Sequence, residues 1–255
     1  MKIGVYTHCL RIGFYEGIDA ASKMGADGVQ IFYNAETEYS AEETAYIREF
    51  IKVRGMECAA VCGQMKNFSD AEANKEKLPR MKKVIEFAKA VGAPVVTAHV
   101  GVIPADKSSA QYYVVKEALD YIGAEAAKNG VTFAIETGPE DTQTMRFCLD
   151  DITRGVGINY DPANLVMRGF SADGADAVEP VASAIVHVHA KDGVPATGDE
   201  PAHETPIGQG NVNFRAWIAA LRAGGYDGYV TVEREQGDSR VEDCAAAVIY
   251  LRRFI

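Results

Sequence analysis

Five phrases from residue 96 onward carry an apolar, β-rich run straight into side chains that bind cations or move protons. They are VTAHV, FAIET, INYDP, VHVHAKD and VTVERE. Their chemically able residues are His99, Glu136, Asp161, His189 with Lys191 and Asp192, and Glu233 with Glu235. A carboxylate buried alone costs several kcal/mol, so charges at the ends of apolar strands call for a shared partner. One glutamate in such a place is usually a cap or a surface pair. Glu136, Asp161, His189 and Glu233 on four consecutive strands point instead to one bound cation. Three carboxylates and an imidazole make a hard, oxygen-rich donor set. It suits Mn²⁺ or Mg²⁺ best, also admits Co²⁺, and suits Zn²⁺ less.

These residues need elements that bring them to one place. Strand-like runs are read at 3–7, 28–32, 57–62, 94–99, 132–137, 156–161, 184–190 and 229–234, with helical stretches such as 41–54, 74–91, 110–128 and 214–223 between them. Strands alternating with helices imply parallel pairing through right-handed crossovers. Ser40 with Glu43 reads as a capping box, and Gly92, Gly130 and Gly224–Gly225 stand where helices end. An open doubly wound sheet would favour a glycine-rich phosphate loop after the first strand, and THCLRIGFYEG is not one. The expected fold is therefore α/β: a single-domain (β/α)8 TIM barrel over residues 1–255, with a closed sheet of eight parallel strands. Active sites of such barrels sit at the C-terminal ends of the strands.

Strand parity refines the candidates. His187 and His189 share a face and should both point into the barrel, ~6.6 Å apart. His189, nearer the mouth, is the expected ligand; His187 reads as a hydrogen-bonded core histidine. Lys191 has the same parity and is expected either in the pocket or solvated. His99 is expected at the barrel top, in contact with substrate or closing the lid of the core. Glu235 is expected in solvent.

With 255 residues, 47% of them hydrophobic and 24% charged, the chain can bury a large core without covalent staples. A net charge of −10 argues against a nucleic-acid partner, whose phosphates attract a basic face. No run is apolar enough for a membrane span, and MKIGVYTHCL enters a strand at once. Cys9, Cys58, Cys62, Cys148 and Cys244 are odd in number and scattered, as expected of free thiols in a cytoplasmic protein.

INYDPANLVMRG, HVHAKDG, PIGQGNVNF and GGYDGYVTVERE together resemble the sugar phosphate isomerase/epimerase family of xylose isomerase-like barrels. The resemblance runs from the first strand to the last helix and is strongest from Glu136 onward. It implies a metal held by Glu136, Asp161, His189 and Glu233, with the two glutamates also acting as the acid/base pair. It implies a small-molecule sugar or keto-sugar substrate and leaves room for a homo-oligomer. Gly208 and Gly210 would permit the turn of the PIGQG loop beside the pocket.

The departures are informative. Ketohexose 3-epimerases have a substrate-binding histidine where this chain has Asn164, a glutamate at Thr142 and an arginine at Pro195. The three-zinc cluster of the related abasic-site endonucleases also needs a histidine at Asn164 and an Asp-x-His near Ala202, His203 and Glu204. The expected activity is isomerisation or epimerisation through a cis-enediolate, with His99, Asn164 and Lys191 touching substrate. Dehydration of a keto-inositol or keto-glycoside is the alternative, and a non-catalytic sugar-binding barrel the third reading. Arg168 and Lys107 are the candidates for a phosphate contact, each also readable as a solvated surface charge.

Overall fold

The apolar runs become strands that share one barrel. The computed structural model describes residues 1–63 and 65–255. In chain order the strands are β1 (Lys2–Tyr6), β2 (Gly28–Tyr33), β3 (Glu57–Gly63), β4 (Val95–Ala98), β5 (Thr132–Glu136), β6 (Val156–Tyr160), β7 (Ile185–Ala190), β8 (Asp192–Val194), β9 (His203–Thr205) and β10 (Tyr229–Val232). All but β8 and β9 close into one barrel in the cyclic order β1-β10-β7-β6-β5-β4-β3-β2. Every barrel pair is parallel, as crossover helices require. The expected TIM barrel is what forms, and the open-sheet alternative falls.

The helices are α1 (Phe14–Lys23), α2 (Ala41–Lys52), α3 (Ala71–Val91), α4 (Ala110–Asn129), α5 (Thr142–Leu149), α6 (Pro162–Met167), α7 (Phe214–Ala223) and α8 (Arg240–Leu251). Ser40 and Glu43 close both bonds of the capping box at the start of α2. Gly92 and Gly130 end α3 and α4 in the left-handed conformation. Each helix turns an apolar stripe to the sheet: in α7, Phe214, Trp217, Ile218 and Leu221 are buried. Truncating a buried aromatic of this kind costs about 3–5 kcal/mol.

Inside the barrel the side chains change character with height. Ala60, Val95 and Ala134 form a small apolar layer. Two residues further along the same strands stand Cys62, Thr97 and Glu136. On β2 and β6, polar Gln30 and Asn159 are fully buried. Both come just after a register shift, between Val29 and Gln30 and between Ile158 and Asn159. Such irregularities re-aim side chains near functional sites.

One further element lies outside the eight expected strands. After β7 the chain forms a small antiparallel hairpin, β8 against β9, on the barrel mouth. Asp192 anchors the loop beyond it. Its buried carboxylate accepts backbone N–H groups from Gly193 (2.9 Å), Gly208 (2.8 Å), Gly210 (2.9 Å) and Val212 (3.1 Å). A Cβ on residue 210 would stand 2.3 Å from Asp192 Oδ1, so glycine is needed there for close approach.

Candidate metal centre at the barrel mouth

Strand endings deliver the site. Glu136 is the last residue of β5, and Asp161 comes directly after β6 and caps α6, accepting the Asn164 N–H at 3.0 Å. His189 lies in β7, and Glu233 directly succeeds β10. One ligand atom from each comes within 4.8 Å of all the others, and all four residues are buried. His189 Nδ1 lies 3.4 Å from Glu136 Oε1 and 3.2 Å from Glu233 Oε2. The four residues that the strand ends suggested do converge.

The imidazole is oriented from behind. Gln30 Oε1 lies 3.0 Å from His189 Nε2 and 3.0 Å from His187 Nε2, while Gln30 Nε2 donates to Thr97 Oγ1 at 3.2 Å. With Nε2–H donating to Gln30, loss of the Nδ1 proton would leave a lone pair facing the carboxylates, as a ligating histidine requires. Tyr6 stacks on the ring at 6.1 Å between centroids. His187 is the buried, hydrogen-bonded histidine expected one layer down. Its ring centroid is 5.8 Å from that of His189.

The other expected contacts divide. Lys191 is buried rather than solvated, only 3% exposed. Its ammonium stands 3.0 Å from Glu233 Oε2, 2.6 Å from Glu235 Oε2, 3.7 Å from Glu204 Oε2 and 3.9 Å from Asp161 Oδ2. Glu235 is half exposed, as expected, yet it is tied to Lys191. Asn164 Nδ2 donates to Glu136 Oε1 at 3.3 Å and to the Thr137 carbonyl at 3.1 Å. His99 is half exposed, with Nε2 3.5 Å from Glu136 Oε1. His99, Asn164 and Lys191 all line one cavity of about 300 Å³. Lys107 lies elsewhere, paired with Asp151 at 2.8 Å.

The electrostatics are those of a site short of positive charge. Burial, reinforced by Glu233 and Glu136, pushes the Asp161 carboxyl up to about 8 against the pull of Lys191 and His189. Burial also acts to raise Glu233 and Glu136. For Glu233, His189 and Lys191 outweigh it; for Glu136, His99 and His189 do, so both carboxyls lie below their ordinary values. Burial alone would lower His189, but Glu233 and Glu136 hold it well above its ordinary value. Asp161 Oδ2 is buried without a hydrogen-bond partner. An oxygen left bare beside two carboxylates and an imidazole fits a dication, and these four groups could hold one.

Sequence reasoning alone misses several contributors. Gln30 and Asn159 are polar residues inside apolar strands, and that contrast is a usable signal. Asn159 Nδ2 donates to Glu136 Oε2 at 3.3 Å. Glu204, on β9, accepts Arg234 Nη1 at 2.8 Å and the Glu235 N–H at 2.9 Å, which steadies the segment after Glu233. Its role arises from the hairpin and leaves no mark in local sequence.

A family model described as the xylose isomerase-like TIM barrel matches residues 18–254. A xylose isomerase domain protein from Planctomyces limnophilus is 25% identical, with a TM-score of 0.90 over 99% of this chain and 96% of that one. A D-tagatose 3-epimerase-like protein is 22% identical, with a TM-score of 0.79 over 100% of this chain and 98% of that one, and so shares the fold. An uncharacterized protein of Methanocaldococcus jannaschii is 26% identical over 166 residues, 61% of this chain. That match spans 55% of the relative's length. Among the described residues, no helix is long and apolar enough to cross a membrane.

Proposed function

The chain belongs to the xylose isomerase-like TIM barrel family, and we propose that within it this protein is a divalent-metal-dependent sugar isomerase or epimerase. The observation that carries the reading is the convergence of Glu136, Asp161, His189 and Glu233 within 4.8 Å, with one Asp161 oxygen unsatisfied. Those four residues would hold the ion, Mn²⁺ or Mg²⁺ by donor hardness. When bound, it supplies Lewis-acid polarisation of a ketone and its neighbouring hydroxyl.

The chain's own residues then handle protons. Glu136 and Glu233 come from β5 and the end of β10, so they reach a substrate at the mouth from different sides. One takes the proton from the carbon beside the carbonyl, giving an enediolate, and the other returns a proton. Return to the same carbon from the opposite face is epimerisation; return to the neighbouring carbon is isomerisation. Lys191 and Asn164 restrain Glu233 and Glu136 respectively, and with His99 they border the space a sugar would occupy. Each acid/base step contributes about 10²–10⁴ in rate.

One observation favours a second outcome from the same intermediate. Lys191 places a fixed ammonium 3.0 Å from Glu233, a positive charge that would orient a leaving β-hydroxyl while the protonated glutamate of the acid/base pair gives it the proton with which it departs as water, which is dehydration. A purely sugar-binding role has less support, because binding needs no buried pair of proton acceptors. The cysteines are free thiols, which supports a cytoplasmic setting.

The test is a screen of ketoses, keto-inositols and 3-keto-glycosides in D₂O with Mn²⁺, reading deuterium at the carbon beside the carbonyl. Exchange is expected for one class, with product analysis separating the outcomes. Glu136→Gln and Glu233→Gln should each lower it by about 10²–10⁴. Undiminished exchange in both variants refutes the two-carboxylate assignment.

A further inference from the structure

The cavity over the four-residue cluster is lined by Lys66, Arg168 and Lys191 against one acidic residue, Glu235. That bias is local, since the whole chain carries a net charge of −10. The three cations are not equivalent. Lys191 is committed at the floor, ion-paired with Glu233 and Glu235. Lys66 and Arg168 stand at the exposed rim, and among the described residues neither side chain has an ion pair or hydrogen-bond partner.

We propose that Lys66 and Arg168 form an anion subsite, so that the substrate is a sugar derivative carrying a phosphate or carboxylate group away from its reacting carbonyl. This rests on the metal-isomerase reading of the floor below it. A cavity of about 300 Å³ holds one monosaccharide-sized molecule. With the carbonyl end at Glu136, Asp161, His189 and Glu233, the far end of such a molecule meets the rim. Arg168 offers the planar fork that grips phosphate or carboxylate through two parallel bonds, and Lys66 adds a point charge. Gly101 and Gly138, also in the lining, present backbone without side chains to the cavity.

The acidic residue behind Arg168 does not compete for it. Glu140 is buried and, among the described residues, forms no ion pair with Arg168. Burial drives its carboxyl up to about 8, a rise that the Ile103 backbone and Arg168 offset only in part. It is therefore largely neutral at pH 7, leaving the guanidinium for an outside anion. Lys107, the other cation that sequence offered for a phosphate, is engaged with Asp151 and lies over the Phe147 ring.

The experiment is calorimetric titration of the Mn²⁺-loaded full chain with inorganic phosphate and, separately, with acetate. Saturable binding of either anion is expected, weakened about tenfold or more in the Lys66→Ala/Arg168→Ala double variant and unchanged in Lys107→Ala. Stronger binding of phosphate would identify a phosphate ester, and stronger binding of acetate a sugar acid. Absence of saturable binding by both anions, or equal binding by the double variant, overturns the subsite. The single variants, both at exposed positions, guard against a folding defect, and each should lose part of the affinity. The outcome is separable from the reading beneath it. Metal-dependent exchange with neutral ketoses but no anion binding would sink the subsite and leave the isomerase; anion binding without exchange on any carbonyl compound would do the reverse.

Discussion

The two sides of the barrel mouth are built from opposite materials. On the β5, β6, β7 and β10 side, carboxylates, an imidazole and an ammonium are buried at single-digit exposure. On the β1 and β2 side, the opening is a cleft of about 820 Å³ that includes His8, Phe14, Tyr15, Phe32 and Tyr39, with Arg11 its one fully charged residue. There His8 stacks on Phe32 at 4.2 Å between centroids. Tyr6, at the end of β1, lies against His189 on the other side. One side concentrates buried charge, paired in part by Lys191 and His189; the other presents aromatic faces. Buried charge and aromatic surface occupy different arcs of the same cylinder.

The largest effect is expected at Asp161. Asp161→Asn removes the carboxylate whose second oxygen is bare, and Mn²⁺ affinity should fall by about a hundredfold or more. The pH dependence of the unaltered protein sharpens the point. With its carboxyl pushed up to about 8, Asp161 holds a proton at pH 7 that the ion must displace. Mn²⁺ affinity should therefore weaken as pH falls below about 8, by roughly tenfold per pH unit for this proton, and more steeply because His189, held well above its ordinary value, must also lose one. Titrations at several pH values measure both effects, and a flat profile would contradict the assignment of that proton.

A smaller effect is expected one layer back. Gln30→Leu leaves all four acidic and imidazole groups in place but removes the acceptor that orients His189 and His187. Metal affinity should drop about 10–100-fold, with Gln30→Glu recovering part of it by restoring an acceptor. Recovery separates orientation of the imidazole from a general loosening of the barrel. On the aromatic side the change should be smallest. Phe32→Ala should raise KM several-fold while leaving kcat and metal affinity near their original values, since it removes contact and no proton carrier. A large loss of kcat there would erase the distinction between the two arcs.

Much of this molecule is legible in its sequence. Period-two and period-3.6 patterning marks the strands and helices, and charged residues at the ends of apolar runs mark Glu136, Asp161, His189 and Glu233, because burying such groups needs a reason. Apolar patterning overshoots the strand ends by one or two residues at Asp161 and Glu233, which lie just past the ladder. Parity gives the direction of Lys191 but not the company of Glu204, Glu233 and Glu235, so it does not settle that residue's burial. Gln30 and Asn159 stand out against their apolar strands, but what a single amide there does is ambiguous until its neighbours are known.

By itself the sequence determined local matters: which segments form strands and helices, where they stop, and which side chains stand on the inward face. Tertiary structure alone decided which of those inward groups meet. Closure of the sheet brought β10 beside β7 and β1, the hairpin after β7 carried Glu204 under Lys191, and two register shifts turned Gln30 and Asn159 toward the site. The physical reason is range. Backbone preference and side-chain parity act over a few residues, whereas the field at a buried charge is set by whatever the closed barrel places within a few ångströms of it.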